Sequence, residues 1–137
     1  MKYVYPAIFT PENNGYNVAV PDLPGCFTCG DSLEDAIDMA RDAISMWLCD
    51  AEDKSEEIPS PSDINTLTHA NDSFVTLIDV DTDTYRKEND NRAVKKTLTI
   101  PNWLNVKAEK ANINFSQVLQ KALIKELNLT SGKRKQS

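Results

Sequence analysis

The chain has 137 residues, 40% of them hydrophobic and 26% charged, the composition of an ordinary globular protein. This length suits one domain or two very small ones. No apolar run approaches the 18 residues of a membrane span, and three cysteines do not suggest a disulfide scaffold. The net charge of −6 conceals a division. Residues 1–91 carry five basic against 19 acidic side chains, net −14, and residues 92–137 carry ten basic against two acidic, net +8. Halves of opposite sign point to two tasks, one of them involving nucleic acid; two differently solvated surfaces are the plainer alternative. The first nine residues hold one lysine and a proline in place of a secretory leader, so a cytoplasmic protein is expected.

Residues 2–9 (KYVYPAIF) are aromatic and β-branched, and Pro6 among them predicts an edge strand or a bulge. Asn13-Asn14-Gly15 is a turn, and the alternation of residues 16–20 makes the second arm of a hairpin. After the turn-forming Pro21-Asp22-Leu23-Pro24-Gly25, residues 26–29 make a short third strand. A helix is predicted from Ser32 to about Asp50. Ser32 caps it, Glu34 and Asp35 complement its dipole, and Leu33, Ala36, Ile37, Ala40, Ile44, Trp47 and Leu48 recur at helical spacing opposite Asp38 and Asp42. Residues 51–65 read as a loop, residues 74–80 as a fourth strand and residues 81–93 as a charged linker. The fold class is therefore α+β: three strands, a helix and a strand over 1–80, then the linker, then a basic domain over 94–129 and a disordered basic tail over 130–137.

The basic domain poses a problem of pairing. Val94 to Pro101 (VKKTLTIP) reads as a strand stopped by a proline, followed by helices over about 102–111 and 115–127. Asn114 and Gln117 have the spacing of a capping box. About 35 residues cannot build an adequate core alone, and an unpaired strand is a template for another. Pairing with the same strand of a second copy answers both needs, with an isologous interface. The alternative is an edge strand added to the first domain's sheet. In a homodimer, or a higher even-numbered assembly, Leu98, Ile100, Trp103, Val118, Leu119 and Ala122 form the dimer core. Lys95, Thr97 and Thr99 then face outward from a two-stranded ribbon that fits the major groove of double-stranded DNA, where they contact bases. Lys96 and the helix start at Asn114, Phe115 and Ser116 contact phosphate, and Lys107 and Lys110 add salt-dependent affinity. This stretch resembles a ribbon-helix-helix DNA-binding domain.

The first domain carries a second resemblance. A hairpin followed by PDLPGC (residues 21–26), GDSLEDA (residues 30–36) and an apolar-periodic helix is similar to the HicB antitoxin family, and the likeness covers nearly all of the chain. It implies an N-terminal partial RNase H-like domain, a C-terminal DNA-binding domain and a partner, a small basic RNA-cleaving HicA toxin. The antitoxin blocks that toxin and represses the operon encoding both. A domain of net −14 suits such a partner. Contacts are expected from Asp22, Leu23, Pro24 and Gly25 and from Asp35, Asp38 and Asp42.

Other chemistry is weaker. Cys26-Phe27-Thr28-Cys29 has metal-ligand spacing, but residues three apart in a strand point to opposite faces, and Cys49 and His69 are the only further soft ligands. No metal, cofactor or catalytic residue is expected, and the chain does not read as an enzyme. A two-metal nuclease would draw on Asp22, Asp31, Asp35 and Asp79. A stand-alone repressor with a small-molecule-sensing domain is the other alternative.

Overall fold

The computed structural model describes residues 1–129, so the expected basic tail at 130–137 lies outside the described residues. Two compact units form, Met1–Asp90 and a second that begins at Asn91. The first contains β1 (Lys2–Glu12), β2 (Gly15–Ala19), β3 (Phe27–Gly30), α1 (Leu33–Asp53), a 3-10 turn (Ile64–Thr66), β4 (Phe74–Asp81) and α2 (Thr82–Glu88). The strands make one antiparallel sheet in the order β3-β2-β1-β4.

This order corrects the expectation for β1, which is a central strand despite Pro6. The reason lies in the stagger of its neighbours. β2 pairs with residues 8–12 and β4 with residues 2–9, so only Ile8 and Phe9 have partners on both sides. Pro6 sits opposite Leu77 of β4 and beyond the end of β2, whereas Pro11 sits opposite Tyr16 of β2 and beyond the start of β4. Successive backbone nitrogens point to alternate edges of a strand. Five residues apart, the two prolines aim at opposite edges, and the two gaps lie on opposite edges. Each missing N–H thus falls on a flank with no ladder to break.

The sheet and α1 close on a single core. Tyr5, Ala7 and Phe9 alternate along β1 and meet Val18, Ile78 and Val80 from the neighbouring strands and Ala36, Ala40, Ile44 and Leu48 from α1. Each large side chain of this kind stabilises the fold by about 1.5–3 kcal/mol on burial. Small residues let the layers approach. A Cβ added to Gly30 would lie 2.3 Å from the backbone nitrogen of Ala36, so only glycine fits at the end of β3. Ser32 caps α1 as expected, its Oγ accepting from the Asp35 N–H at 3.1 Å. The helix runs to Asp53 and is closed by Ser55 in the left-handed region, φ +55°, with the Glu56 N–H donating to the Ala51 carbonyl.

Residues 82–88, expected to be part of a charged linker, form the helix α2. Their sequence (TDTYRKE) has no apolar stripe because α2 is anchored by polar contacts. Arg86 reaches Glu52 at 3.0 Å and Asp53 at 2.9 Å, and the buried Thr82 donates to Glu52 at 3.2 Å. Asp81 caps the helix through the Asp83 N–H.

The second unit comprises α3 (Asn102–Lys110) and α4 (Phe115–Glu126). Asn114 caps α4 by accepting from the Gln117 N–H at 3.1 Å. Both helices end alike, with Asn112 and Asn128 in the left-handed region and a carbonyl five residues back taken up by the next N–H. Neither helix has a buried residue. Val118, expected in the dimer core, is 51% exposed within the single chain, and Leu104, Leu123 and Leu127 are 41%, 52% and 65% exposed. Residues 91–100 belong to no helix or strand and are exposed throughout, and none of the four strands of the sheet comes from them.

Candidate functional site

The loop 21–25 is tightly organised. The Leu23 N–H donates to the Val20 carbonyl, and Val20 and Cys26 bridge its ends with a bond of 3.1 Å; Gly25, at φ +78°, makes a turn that other residues rarely adopt. Leu23 is 1% exposed and belongs to the core. The Pro24 carbonyl accepts from the indole N–H of Trp47 at 3.0 Å. Asp22 accepts from the Ser62 backbone N–H at 2.9 Å and from its hydroxyl, which ties the loop to the segment between α1 and β4. Residues expected to touch a partner therefore have structural duties within the chain. The Asp22–Ser62 bond joins positions 40 apart, and no local pattern announces it.

Along α1, Asp35 accepts from the Asp31 N–H at 2.9 Å and is half-buried, as is Asp42, while Asp38 is exposed. Asp79 on β4 is gripped by Arg41, whose Nη2 lies 3.0 Å from its carboxylate and whose Nε donates to its carbonyl. This pair holds the Asp79 carboxyl below its usual range and satisfies an outward carbonyl of an edge strand. Among the described residues, no group of three or more His, Cys, Asp or Glu side chains is placed to hold a metal ion. Cys26 is buried, and burial pushes its thiol up to about 11, whereas Cys29 is exposed. His69 is exposed, its Nδ1 2.8 Å from the Ser73 hydroxyl.

One titratable cluster was invisible in the sequence. Glu52 receives hydrogen bonds from Tyr3 at 2.8 Å, Arg86 and Thr82. Burial pulls its pKa upward, but these donors outweigh that and hold it below the ordinary carboxylate value. The same burial, with the Glu52 charge, pushes the Tyr3 hydroxyl up to about 12. The cluster joins β1, α1 and α2 through contacts that span 30 to 49 positions of sequence.

In the second unit, Lys95, Lys96, Thr97 and Thr99 are all exposed, with Leu98 and Ile100 62% and 43% exposed between them. Asn114, Phe115 and Ser116 open α4 at its capped N-terminus. Trp103 is 63% exposed, with the Lys107 ammonium 5.9 Å from its ring centroid. Val118 and Ala122 are exposed and Leu119 half-buried. Among the described residues, no helix is long and apolar enough to cross a membrane.

Known proteins share this arrangement. The chain is 38% identical over 81 residues to a 14.9 kDa protein from the rep-hol intergenic region of Haemophilus phage HP1, covering 57% of this chain and 61% of that one. It is 38% identical over 58 residues to antitoxin HicB 2 of Photorhabdus laumondii, covering 42% of each. These matches span less than two thirds of either relative. The backbone superposes on a chain of a toxin-antitoxin complex from Streptococcus pneumoniae with a TM-score of 0.59 at 28% identity, over 92% of this chain and 99% of that one. The family model of HicB-like antitoxins matches residues 5–123, from the first core strand into the last helix. With most of its length matched, the chain belongs to the HicB-like antitoxin family of bacterial toxin-antitoxin systems.

Proposed function

We propose that the chain is a two-part antitoxin. Its first unit, a partial RNase H-like domain, binds and blocks a small basic RNA-cleaving toxin of the HicA type. Its second unit, a ribbon-helix-helix module, dimerises, binds operator DNA and represses the operon. The observation that carries the second half is the nakedness of α3 and α4. Helices of 9 and 12 residues are marginal in water unless an apolar face is packed, and here Leu98, Ile100, Val118 and Leu123 all lie open within one chain. A second copy supplies the missing layer. Residues 94–100 then pair antiparallel with their counterparts, Leu98, Ile100, Val118, Leu119 and Ala122 close the dimer core, and Lys95, Thr97 and Thr99 face the major groove. Trp103, beside Lys107, joins that core. Lys96 and the α4 start at Asn114, Phe115 and Ser116 hold phosphate. The first half is supported by charge: a unit of net −14 attracts a basic protein and speeds its encounter, with Asp35, Asp38 and Asp42 of α1 and the loop at Asp22 to Gly25 contributing to the field.

Two measurements test this reading. Sedimentation of the purified chain at micromolar concentration should show a dimer or a larger even-numbered assembly, and a monomer ends the ribbon model. Co-expression with a HicA-type toxin should abolish that protein's toxicity, and DNA upstream of the gene should be retarded by the chain in a salt-dependent way.

A further inference from the structure

The two faces of the sheet differ sharply. Odd-numbered residues of β1 point to α1, so Ile8 points away from it. Register carries Ile8 to Ala19 on β2 and to Val75 on β4, and Ala19 to Phe27 on β3. One apolar row therefore crosses all four strands on the face without α1, about 14 Å long at a strand spacing of ~4.8 Å. Val4 and Leu77 belong to the same face. Phe27 is 72% exposed, Leu77 55% and Val4 44%. Phe27 is the most exposed aromatic side chain among the described residues, and it adds nothing to the core. Large apolar groups gathered on one face, with an aromatic at the end, mark an interaction surface rather than a solvated one.

We propose that this sheet face is the docking surface for the basic toxin-type partner. The inference rests on the proposed function and says where the partner sits. Charge complementarity selects this occupant. The rim carries Asp79, paired with Arg41, and Asp81, paired with the Met1 ammonium, at one end and Glu12 at the other, with Lys2 opposite Asp81, within a unit of net −14. A second copy would bring the same net −14 of its first unit against it, so face-to-face pairing meets like charge. The fitting partner has an apolar patch ringed by lysine or arginine. The carboxylates of α1 steer it from a distance, whereas the row from Phe27 to Leu77 supplies the desolvated centre that sets dissociation.

The test uses the full chain and a basic HicA-type toxin, mixed in purified form. Phe27→Asp and Leu77→Asp should each raise the dissociation constant of that complex roughly 30-fold or more. Melting temperature and operator retardation should stay at the level of the unaltered chain, because both side chains are exposed and lie in the first unit. Phe27→Ala, a milder change, should weaken the complex in the same direction and keeps the test open if an aspartate disturbs folding. Asp38→Asn on α1 should slow association and leave dissociation unchanged. The assignment is overturned if the sheet variants bind as tightly as the unaltered chain, or if they change only the self-assembly of the chain. If the unaltered chain does not bind the basic protein, the proposed function fails and this inference with it.

Discussion

The two units solve folding in opposite ways. The first has thirteen buried hydrophobic residues in one cluster, drawn from β1, β2, β4, α1 and the segment Val20 to Cys26. The second has two well-terminated helices and, among the described residues, no buried one. Local chemistry is equally good in both: α1 and α4 each have a side-chain cap, and each ends at a left-handed residue. Good caps therefore stop and start a helix but do not supply its stability, which comes from the apolar face being covered. In the first unit the chain covers itself; in the second, under the proposed function, a twin supplies the cover.

Substitutions can break or sharpen this contrast. Ile44→Ala should destabilise the first unit by about 2–5 kcal/mol, read as a lower midpoint in denaturant, because the cavity opens in a closed core. The matching change in the second unit, Leu98→Asp, should act on assembly instead. Two buried carboxylates at a two-fold axis should raise the dimer dissociation constant roughly 100-fold, seen by sedimentation, with the first unit's unfolding unchanged. An equal loss of stability in both units would erase the distinction. Lys95→Ala or Thr97→Ala should reduce operator affinity by about 1–3 kcal/mol without altering the dimer or toxin binding.

Acid should act on the first unit more gently. The Glu52 pKa is depressed in the folded chain, so its contribution is present above the unfolded value of 4.5 and is lost as pH falls below it toward the folded value. Glu52→Gln should flatten the decline of melting temperature between about pH 5 and pH 3. The smallest effect is chemical. At neutral pH a thiol reagent should label Cys29 at once and reach Cys26 and Cys49 only on unfolding, with one fast equivalent per chain.

Much of this architecture was legible because it is local. Ser32, the spacing from Ala36 to Leu48 and the Asn114–Gln117 pair each act within a few residues, and the structure has those elements. What escaped was set by distance. Pro6 looked incompatible with a central strand because the stagger of β2 and β4 is a property of three strands together. α2 was missed because Arg86, Thr82 and Glu52 hold it with hydrogen bonds, which leave no periodic trace. The candidate surfaces divide in the same way. The acidic face of α1 follows from helical spacing, but the row from Phe27 to Val75 needs three registers that no single strand encodes.

The prolines of β1 have a consequence beyond their fit. An incomplete flank on a middle strand invites a stray segment, from a misfolded neighbour or a growing fibril, to splice into the sheet. Pro6 is fully buried, which closes its flank, and at the exposed Pro11 a newcomer would find one amide hydrogen fewer to bond. The same residues that let the sheet be staggered thus make it a poor seed for aggregation.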